Sequence, residues 1–371
     1  MNAPKIRFND FNDEWVEYIL QSESDVRDGT HDSPKYVDNR YPLITSKNLT
    51  DMGTLDFSNV SYLKQEDFDK INQRSKVDIG DILFGMIGTI GKPVRIDRDD
   101  FAIKNVALIK EKGLIKNDYL IHYLHTPTIN KQFANNQDGG TQKFIALDKI
   151  RKLKIKMPSR KEQEKIVSLF NLLDKKIELQ SKKIEDLKLF KKGLSNKIFS
   201  TLDVVKEEKL GNICNITTGK LDANAMVENG QYRFYTCAKD YYYIDKYAFD
   251  TEALLISGNG AYVGYIHYYK GKFNAYQRTY VLDQFTENIQ YIKVYLDEFL
   301  SKRINSEKKE GNTPYIVLST LSDMMIKLTN PKDEKKVINT FNNIKNKIDK
   351  EELKLNKLIE LKKGLMQNMF V

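Results

Sequence analysis

The apolar positions between residues 161 and 200 recur mostly at steps of three and four: Ile166, Phe170, Leu173, Ile177, Ile184, Leu187, Leu194 and Ile198. That spacing gathers them on one face of a helix and reads as the seam of a coiled coil. Residues 332–371 repeat the pattern at a constant offset of 171, with Val337, Phe341, Ile344, Ile348, Leu355, Leu358, Leu365 and Met369. Both copies interrupt the seam at the same places, Gln180 opposite Glu351 and Lys191 opposite Lys362. Both close on Lys-Lys-Gly-Leu, at Lys191 to Leu194 and Lys362 to Leu365. Unrelated helices share a heptad but not its defects, so the chain carries an internal duplication. Each copy predicts a helix of roughly 35–40 residues, about 55–60 Å long. Alone, such a helix leaves its seam in water. The two seams are therefore expected to bury against each other, and antiparallel packing sets two similar units at opposite ends.

The stretches between the helices follow a period of two. In residues 14–160, "YPLITSKNL", "DILFGMIGTIGKPVRI" and "FAIKNVALIK" read as strands with turns, and a helix is predicted over about Asn117 to Asn135. Residues 201–331 give the same order: "QYRFYTCAK", "EALLISGNGAYVGYIHYY" and "FNAYQRTYVL", then a helix near Gln290 to Ser306. Gly88-Thr89-Ile90-Gly91 falls opposite Ala261-Tyr262-Val263-Gly264, and Tyr41 and Thr45 fit Tyr232 and Thr236. Phe144, Ile145, Leu147, Ile150 and Ile155 match Tyr315, Ile316, Leu318, Leu321 and Ile326. The expected plan is a first unit over 1–160, a helix over 161–200, a second unit over 201–331 and a helix over 332–371. The fold class is α+β: two similar mixed α/β domains separated by two long antiparallel helices forming a coiled coil, with pseudo-two-fold symmetry.

Charge changes the picture because of where it lies. Of the net charge of +9, each helix copy supplies ten lysines against six acidic residues, while the stretches between them are close to neutral. Basic surface invites nucleic acid; lysine-rich helix faces that are simply solvated are the plainer alternative. No apolar run approaches the roughly 20 residues of a membrane span. The segment "MNAPKIRFNDFNDEW" has no apolar signal-peptide core. Two cysteines, Cys214 and Cys237, are too few for a disulfide or zinc framework. The expected compartment is the cytoplasm, with no membrane association.

Catalytic patterns are weak. "SGNGAYVG" (Ser257 to Gly264) is glycine-rich but lacks dinucleotide spacing, and reads as a tight turn. "NTPY" (Asn312 to Tyr315) resembles the Asn-Pro-Pro-Tyr motif of amino-methyltransferases with one mismatch, but no cofactor loop precedes it. His31, His122, His125 and His267 show no metal spacing beyond the His122/His125 pair, which fits an ordinary helix surface. No catalytic residue, cofactor or metal is expected.

Binding patterns are richer. The framework repeats while the loops diverge, as in a scaffold whose two units read different things. Side chains suited to base edges or phosphates cluster in those loops: Thr30, His31, Lys47, Asn48, Lys92, Lys104 and Asn105 in the first half. In the second they are Lys220, Asn224, Arg233, Lys239, Asn259, Gln277 and Arg278. Arg and Lys suit guanine, Asn and Gln suit adenine, and Tyr241 to Tyr243 can stack or pack. Arg278 is taken as the counterpart of Asn105. Gly193 and Gly364 sit inside the helices at a cost of about 1 kcal/mol relative to Ala. With Ile166, Phe170, Leu173, Ile177, Val337, Phe341, Ile344 and Ile348 they form the expected helix and partner interface. Two glycines at matching positions suggest close approach by a neighbouring backbone; a helix bend or early C-cap is the alternative.

The order of units, the "GTIG" and "AYVG" turns, the lead-in "GGTQKFIALDKIRKLKIKMPSRKEQEKI" and the doubled "KKGL" resemble the specificity subunit of Type I restriction-modification systems, over essentially the whole chain. The resemblance implies two target recognition domains held apart by two antiparallel spacer helices, each reading one half of a bipartite double-stranded DNA site. It implies docking of two DNA-methylation subunits, which bind S-adenosylmethionine, and of restriction/translocase subunits; chemistry belongs to these partners. The second lead-in, "EGNTPYIVLSTLSDMMIKLTNPKDEKKV", departs from the first, with Thr329-Asn330-Pro331 where the first has Pro158-Ser159-Arg160. Two rival classes are a non-enzymatic coiled-coil scaffold binding proteins at its two ends, and a methyltransferase fragment. Nucleic acid in a pull-down separates the first from this reading, and cofactor binding the second.

Overall fold

The computed structural model describes residues 3–50, 53–88, 90–136, 144–307 and 315–371. The chain divides into two compact units: Met1–Ser181 with Leu353–Val371, and Lys182–Glu352.

Two long helices, Arg160–Thr201 and Pro331–Asn368, each contribute to both units. In the first unit the Phe170 and Phe370 ring centroids lie 5.5 Å apart. Four residues further along the first helix, Asp174 pairs with Lys362, eight residues back from Phe370. As one helix advances the other recedes, so the packing is antiparallel. The second unit repeats it: Lys183 pairs with Glu351 at 3.1 Å, and Phe199 faces Phe341 with centroids 5.9 Å apart. The offset of 171 that carries Phe170 onto Phe341 also carries Phe199 onto Phe370. The same aromatic pair thus occurs once in each unit. The seam break at Glu351 is explained here: the carboxylate is buried and held by Lys183. Burying a charge is tolerable only when it is paired.

Each unit fixes its helix segments to a sheet through one apolar core. In the first, Ile166, Phe170, Leu173, Met369 and Phe370 pack with Trp15, Ile82, Phe84, Ile109, Tyr119 and Tyr123. In the second, Phe199, Val337 and Phe341 pack with Leu254, Ile256, Leu282, Tyr291 and Tyr295. Ile177 and Ile344 are half-buried, whereas Ile348 is buried.

The sheets share one topology. In the first unit, Ser24–Asp28, Val106–Glu111, Ile82–Gly85 and Gly91–Arg95 form an antiparallel four-stranded sheet in that order. A second sheet runs Ser61–Leu63, Tyr41–Ile44, Ala102–Ile103, the last pair parallel. In the second unit Asn215–Thr218, Thr279–Asp283, Phe249–Ser257, Ile266–Ala275, Tyr232–Tyr235 and Tyr242–Ile244 form one six-stranded sheet, and Tyr232–Tyr235 is parallel to Ile266–Ala275. Strand Ile266–Ala275 thus does the work of both Gly91–Arg95 and Ala102–Ile103. Among the described residues, the first unit alone inserts a helix, Gln65–Ser75, after its short strand Ser61–Leu63. A two-stranded ribbon anchors each long helix, Val16–Ile19 with Lys154–Met157 and Lys206–Lys209 with Met325–Leu328.

Several expectations are refined. The helix predicted over Asn117 to Asn135 is two, Asn117–Leu124 and Pro127–Asn136, because Pro127 cannot continue the first. The other is Ile289–Glu307. The glycine turns also shift. Ile87 bridges Phe144 and Asn259 bridges Tyr315, so Gly88 (φ 71°) corresponds to Gly260 (φ 79°) rather than Ala261. Gly91 and Gly264 remain partners, both left-handed at φ 91° and 82°. The second turn is therefore one residue longer. Thr89 and Asn312 to Pro314 of "NTPY" lie outside the described residues, as does the lead-in over residues 139–143. The His122 expectation fails: the ring is buried against Phe170 at 5.1 Å, with Nε2 3.4 Å from Asn171 Oδ1. Burial pulls its pKa down to about 4, with Lys362 adding to the shift and Asp174 opposing it.

Candidate nucleic-acid interface

Both units make the same backbone crossing at the mouth of the sheet. In the first, the Gly29 N–H donates to Val106 O at 3.0 Å, Thr30 bridges Lys104 in parallel, and the Asn105 N–H donates to Thr30 O at 3.2 Å. In the second, the Gly219 N–H donates to Thr279 O at 3.2 Å, Leu221 bridges Tyr276, and the Gln277 N–H donates to Leu221 O at 2.9 Å. Glycine is required at both crossings. A Cβ on Gly29 would sit 2.4 Å from Ile103 O, and one on Gly219 1.9 Å from Ala275 O. Sequence reasoning passed over this pair because its offset is 190, not the 171 of the helices. The crossing also corrects one correspondence: Asn105 matches Gln277, and Arg278 is an extra residue before the next strand.

Around the first crossing lie Thr30, His31, Lys104 and Asn105. The Lys104 Nζ donates to Ser33 Oγ at 2.7 Å. The exposed His31 ring has Nε2 2.9 Å from Asp28 Oδ2 and Nδ1 2.7 Å from Asn105 Oδ1. The hydrogen bonds to Asp28 and then Asn105 raise the imidazole pKa, against a smaller lowering by burial. Arg74, from the inserted helix, also reaches Asp28. A cleft of about 360 Å3 opens beside them, lined by Thr30, His31, Lys70 and Arg74.

Three first-unit candidates remain, two of them on the turn Ser46–Asn48, whose Ser46 hydroxyl donates to Asn105 O at 3.2 Å. Lys47 is exposed on the turn Ser46–Asn48. Asn48 is buried and its amide is spent inside the fold: Oδ1 accepts from the Thr45 N–H at 2.9 Å, and Nδ2 donates to Asp56 O and Asn59 O. It holds a loop instead of facing a ligand. Lys92 sits on the hairpin after Gly91 with φ 48°, a left-handed backbone unusual outside glycine.

Around the second crossing, Gln277 and Arg278 are exposed and line a cleft of about 300 Å3 with Thr218, Tyr280 and Tyr315. The Gln277 Nε2 donates to Asp222 Oδ1 at 2.8 Å. The Gly258 N–H donates to Arg278 O at 2.9 Å, and a Cβ there would lie 2.4 Å from that oxygen. Asn259 bridges Tyr315 beside the same cleft. Lys220 and Asn224 are exposed nearby in sequence. Arg233 is committed elsewhere: its guanidinium lies 4.2 Å from the Tyr241 ring centroid and 4.5 Å from that of Tyr269, and it donates to Tyr235 Oη at 3.3 Å. Lys239 Nζ sits 5.3 Å from the Tyr262 ring centroid. These tyrosines pack around cations already in the fold.

On the long helices, Gly193 and Gly364 meet nothing within 4 Å of a built Cβ, so close approach by this chain's own described residues is not their cause. Neither ends its helix. Phe190 and Leu361, equivalent under the 171 offset, stand exposed at 60% and 50%.

The chain belongs to the family of the Type I restriction modification DNA specificity domain, whose model matches residues 33–189 and again 203–361. Over 162 residues it is 33% identical to the Type I restriction enzyme EcoDI specificity subunit of Escherichia coli, covering 44% of this chain and 36% of that protein. The chain thus spans about a third of the length of that relative. Its fold is similar to the crystal structure of a Type I restriction-modification system S subunit from M. genitalium, with TM-score 0.66 and 17% identity over 100% of this chain and 99% of the other. It is also similar, with TM-score 0.60 and 13% identity over 95% and 96%, to a chain from work on complex assembly and conformational transition of the type I R-M system. At these identities the structural likeness speaks for the fold. Among the described residues, no helix is long and apolar enough to cross a membrane.

Proposed function

We propose that this chain chooses the DNA sequence for a Type I restriction-modification complex. Each unit acts as a target recognition domain for one half of a bipartite duplex site, and the long helices set the unread gap. The observation that carries this is the crossing itself: one backbone arrangement, built twice on indispensable glycines, presents Asn105 and His31 in one unit and Gln277 and Arg278 in the other. Amides and guanidinium groups match the donor and acceptor patterns of base edges in the major groove.

Catalysis belongs to the partners in this reading. Two methylation subunits, which bind S-adenosylmethionine, dock on the helices, and restriction/translocase subunits join them in the cytoplasm. The exposed Phe190 and Leu361 support docking, because they repeat at one helical position beside Lys-Lys-Gly-Leu. The recognition units carry little net charge, so phosphate neutralisation by this chain alone is weak and the assembled complex binds more tightly.

The test is selection from a randomised duplex library by the full chain assembled with its methylation subunits. Two short fixed blocks separated by a constant unread gap are expected. One contiguous block, or no enrichment, contradicts the proposal.

A further inference from the structure

Asn105 has no freedom in its backbone. Its N–H donates to Thr30 O, its carbonyl accepts from the Ser46 hydroxyl at 3.2 Å, and its φ of 54° is left-handed. Among the described residues its side chain is tied at one point, the 2.7 Å contact between Oδ1 and His31 Nδ1. Among the described residues the amide nitrogen has no hydrogen-bond partner. His31 is in turn tethered through Nε2 to Asp28, a carboxylate that only accepts and so keeps a proton on that nitrogen.

We propose that His31 is a positioning residue for Asn105: it decides whether the donor or the acceptor end of the amide faces the DNA, and so sets the base preferred at that position. The inference rests on the reading of the first unit as a recognition domain. With a proton on both ring nitrogens, Nδ1–H donates to Asn105 Oδ1 and the NH2 group faces outward, suiting an acceptor edge such as guanine O6/N7 or thymine O4. With Nδ1 bare, the amide turns over to donate to it. The carbonyl then faces outward, suiting a donor such as adenine N6 or cytosine N4.

The groups facing the imidazole are few. Asp28 and Asn105 favour the doubly protonated ring; Arg74, from the helix Gln65–Ser75, opposes it. Asp67 and Lys70 of that helix and Asp32 line the same cleft, and Lys104 adjoins Asn105 in sequence. Among the described residues, the matching position of the second unit has no such switch. Gln277 Nε2 donates to Asp222, a carboxylate that cannot donate back, so its amide has one orientation.

The test is selection from a randomised duplex library by the full chain with its methylation subunits at pH 6.0 and pH 8.5, for the native protein and for His31→Gln and His31→Ala. In the native protein the preference at one base pair of one half-site should change between the two pH values by at least about five-fold. The other half-site should be unchanged. His31→Gln should hold one preference at both pH values, and His31→Ala should relax it while other positions of the same half-site keep theirs. A fixed preference in the native protein at both pH values, or a pH dependence that survives in His31→Gln, overturns the role of His31 while leaving bipartite recognition intact. No enriched sequence at either pH overturns the recognition reading, and this role with it.

Discussion

Phe170→Ala is the sharpest perturbation of the helix packing. The ring is fully buried, 5.1 Å from His122 and 5.5 Å from Phe370, in the core that also holds Trp15, Ile166 and Leu173. Removing a buried phenyl ring costs about 3–5 kcal/mol, the transfer term plus the cavity left behind. The contact with Phe370 adds about 0.5–1.5 kcal/mol beyond area, so the double variant Phe170→Ala/Phe370→Ala should cost less than the sum of the singles by that amount. Trp15 provides the assay. It is the chain's single tryptophan, belongs to this core, and lies 6.4 Å from the Phe370 ring. Its fluorescence during urea unfolding therefore reports the first unit. Phe341→Ala tests the same arithmetic in the second unit, where the ring is 3% exposed and faces Phe199, and is followed by helical circular dichroism. A loss under about 1 kcal/mol for Phe170→Ala, or strict additivity with Phe370→Ala, refutes the argument.

Asn48→Ala should cost about 1–3 kcal/mol by leaving buried partners unpaired, with base preference unaltered; a loss of preference at full stability contradicts this. His122 gives a pH signature. Its folded pKa is near 4 against an ordinary 6.5, so the unfolded chain takes up a proton first as pH falls. Stability is then full above about pH 6.5 and declines towards pH 4, by up to about 1.4 kcal/mol per unit. His122→Gln should flatten the decline seen by Trp15 fluorescence between pH 7.5 and 5.0; an unchanged slope refutes it. Arg278→Ala should weaken binding of the assembled complex by about 1–3 kcal/mol and relax one base of one half-site, while Asn105→Ala acts only on the other. Equal effects of either variant on both half-sites contradict independent reading.

The helices and their pairing were legible because a seam with shared defects is a long-range signal that few sequences produce by chance. Phe170 and Phe341 could be placed in the buried seam from spacing alone. The pairing of Phe170 with Phe370 could not, since Phe370 lies off the heptad and two residues past the end of the helix Pro331–Asn368. The strand runs were legible from alternation, but not the merging of Gly91–Arg95 and Ala102–Ile103 into one strand in the second unit, which depends on the connection between them. Residue type selected the loop candidates, and residue type cannot distinguish an amide aimed outward from one spent on its own loop. Asn48 and Asn105 are both loop asparagines, one buried with its amide satisfied and one whose amide, among the described residues, meets His31 alone. Arg233 suits guanine in composition but is enclosed by tyrosines in space. Gly29 and Gly219, which fix the crossing, escaped notice because loop length changes the repeat offset between sheet and helix.

The proposal that this chain supplies the sequence choice for DNA methylation by its partners has a direct test: mapping methylated bases across the host genome with and without its gene. Deletion is expected to remove one split motif, two short blocks around a fixed gap, from the methylated sites. Restoring the gene with Arg278→Ala should return the motif with one block relaxed and the other intact. A methylation pattern unchanged by deletion contradicts that role.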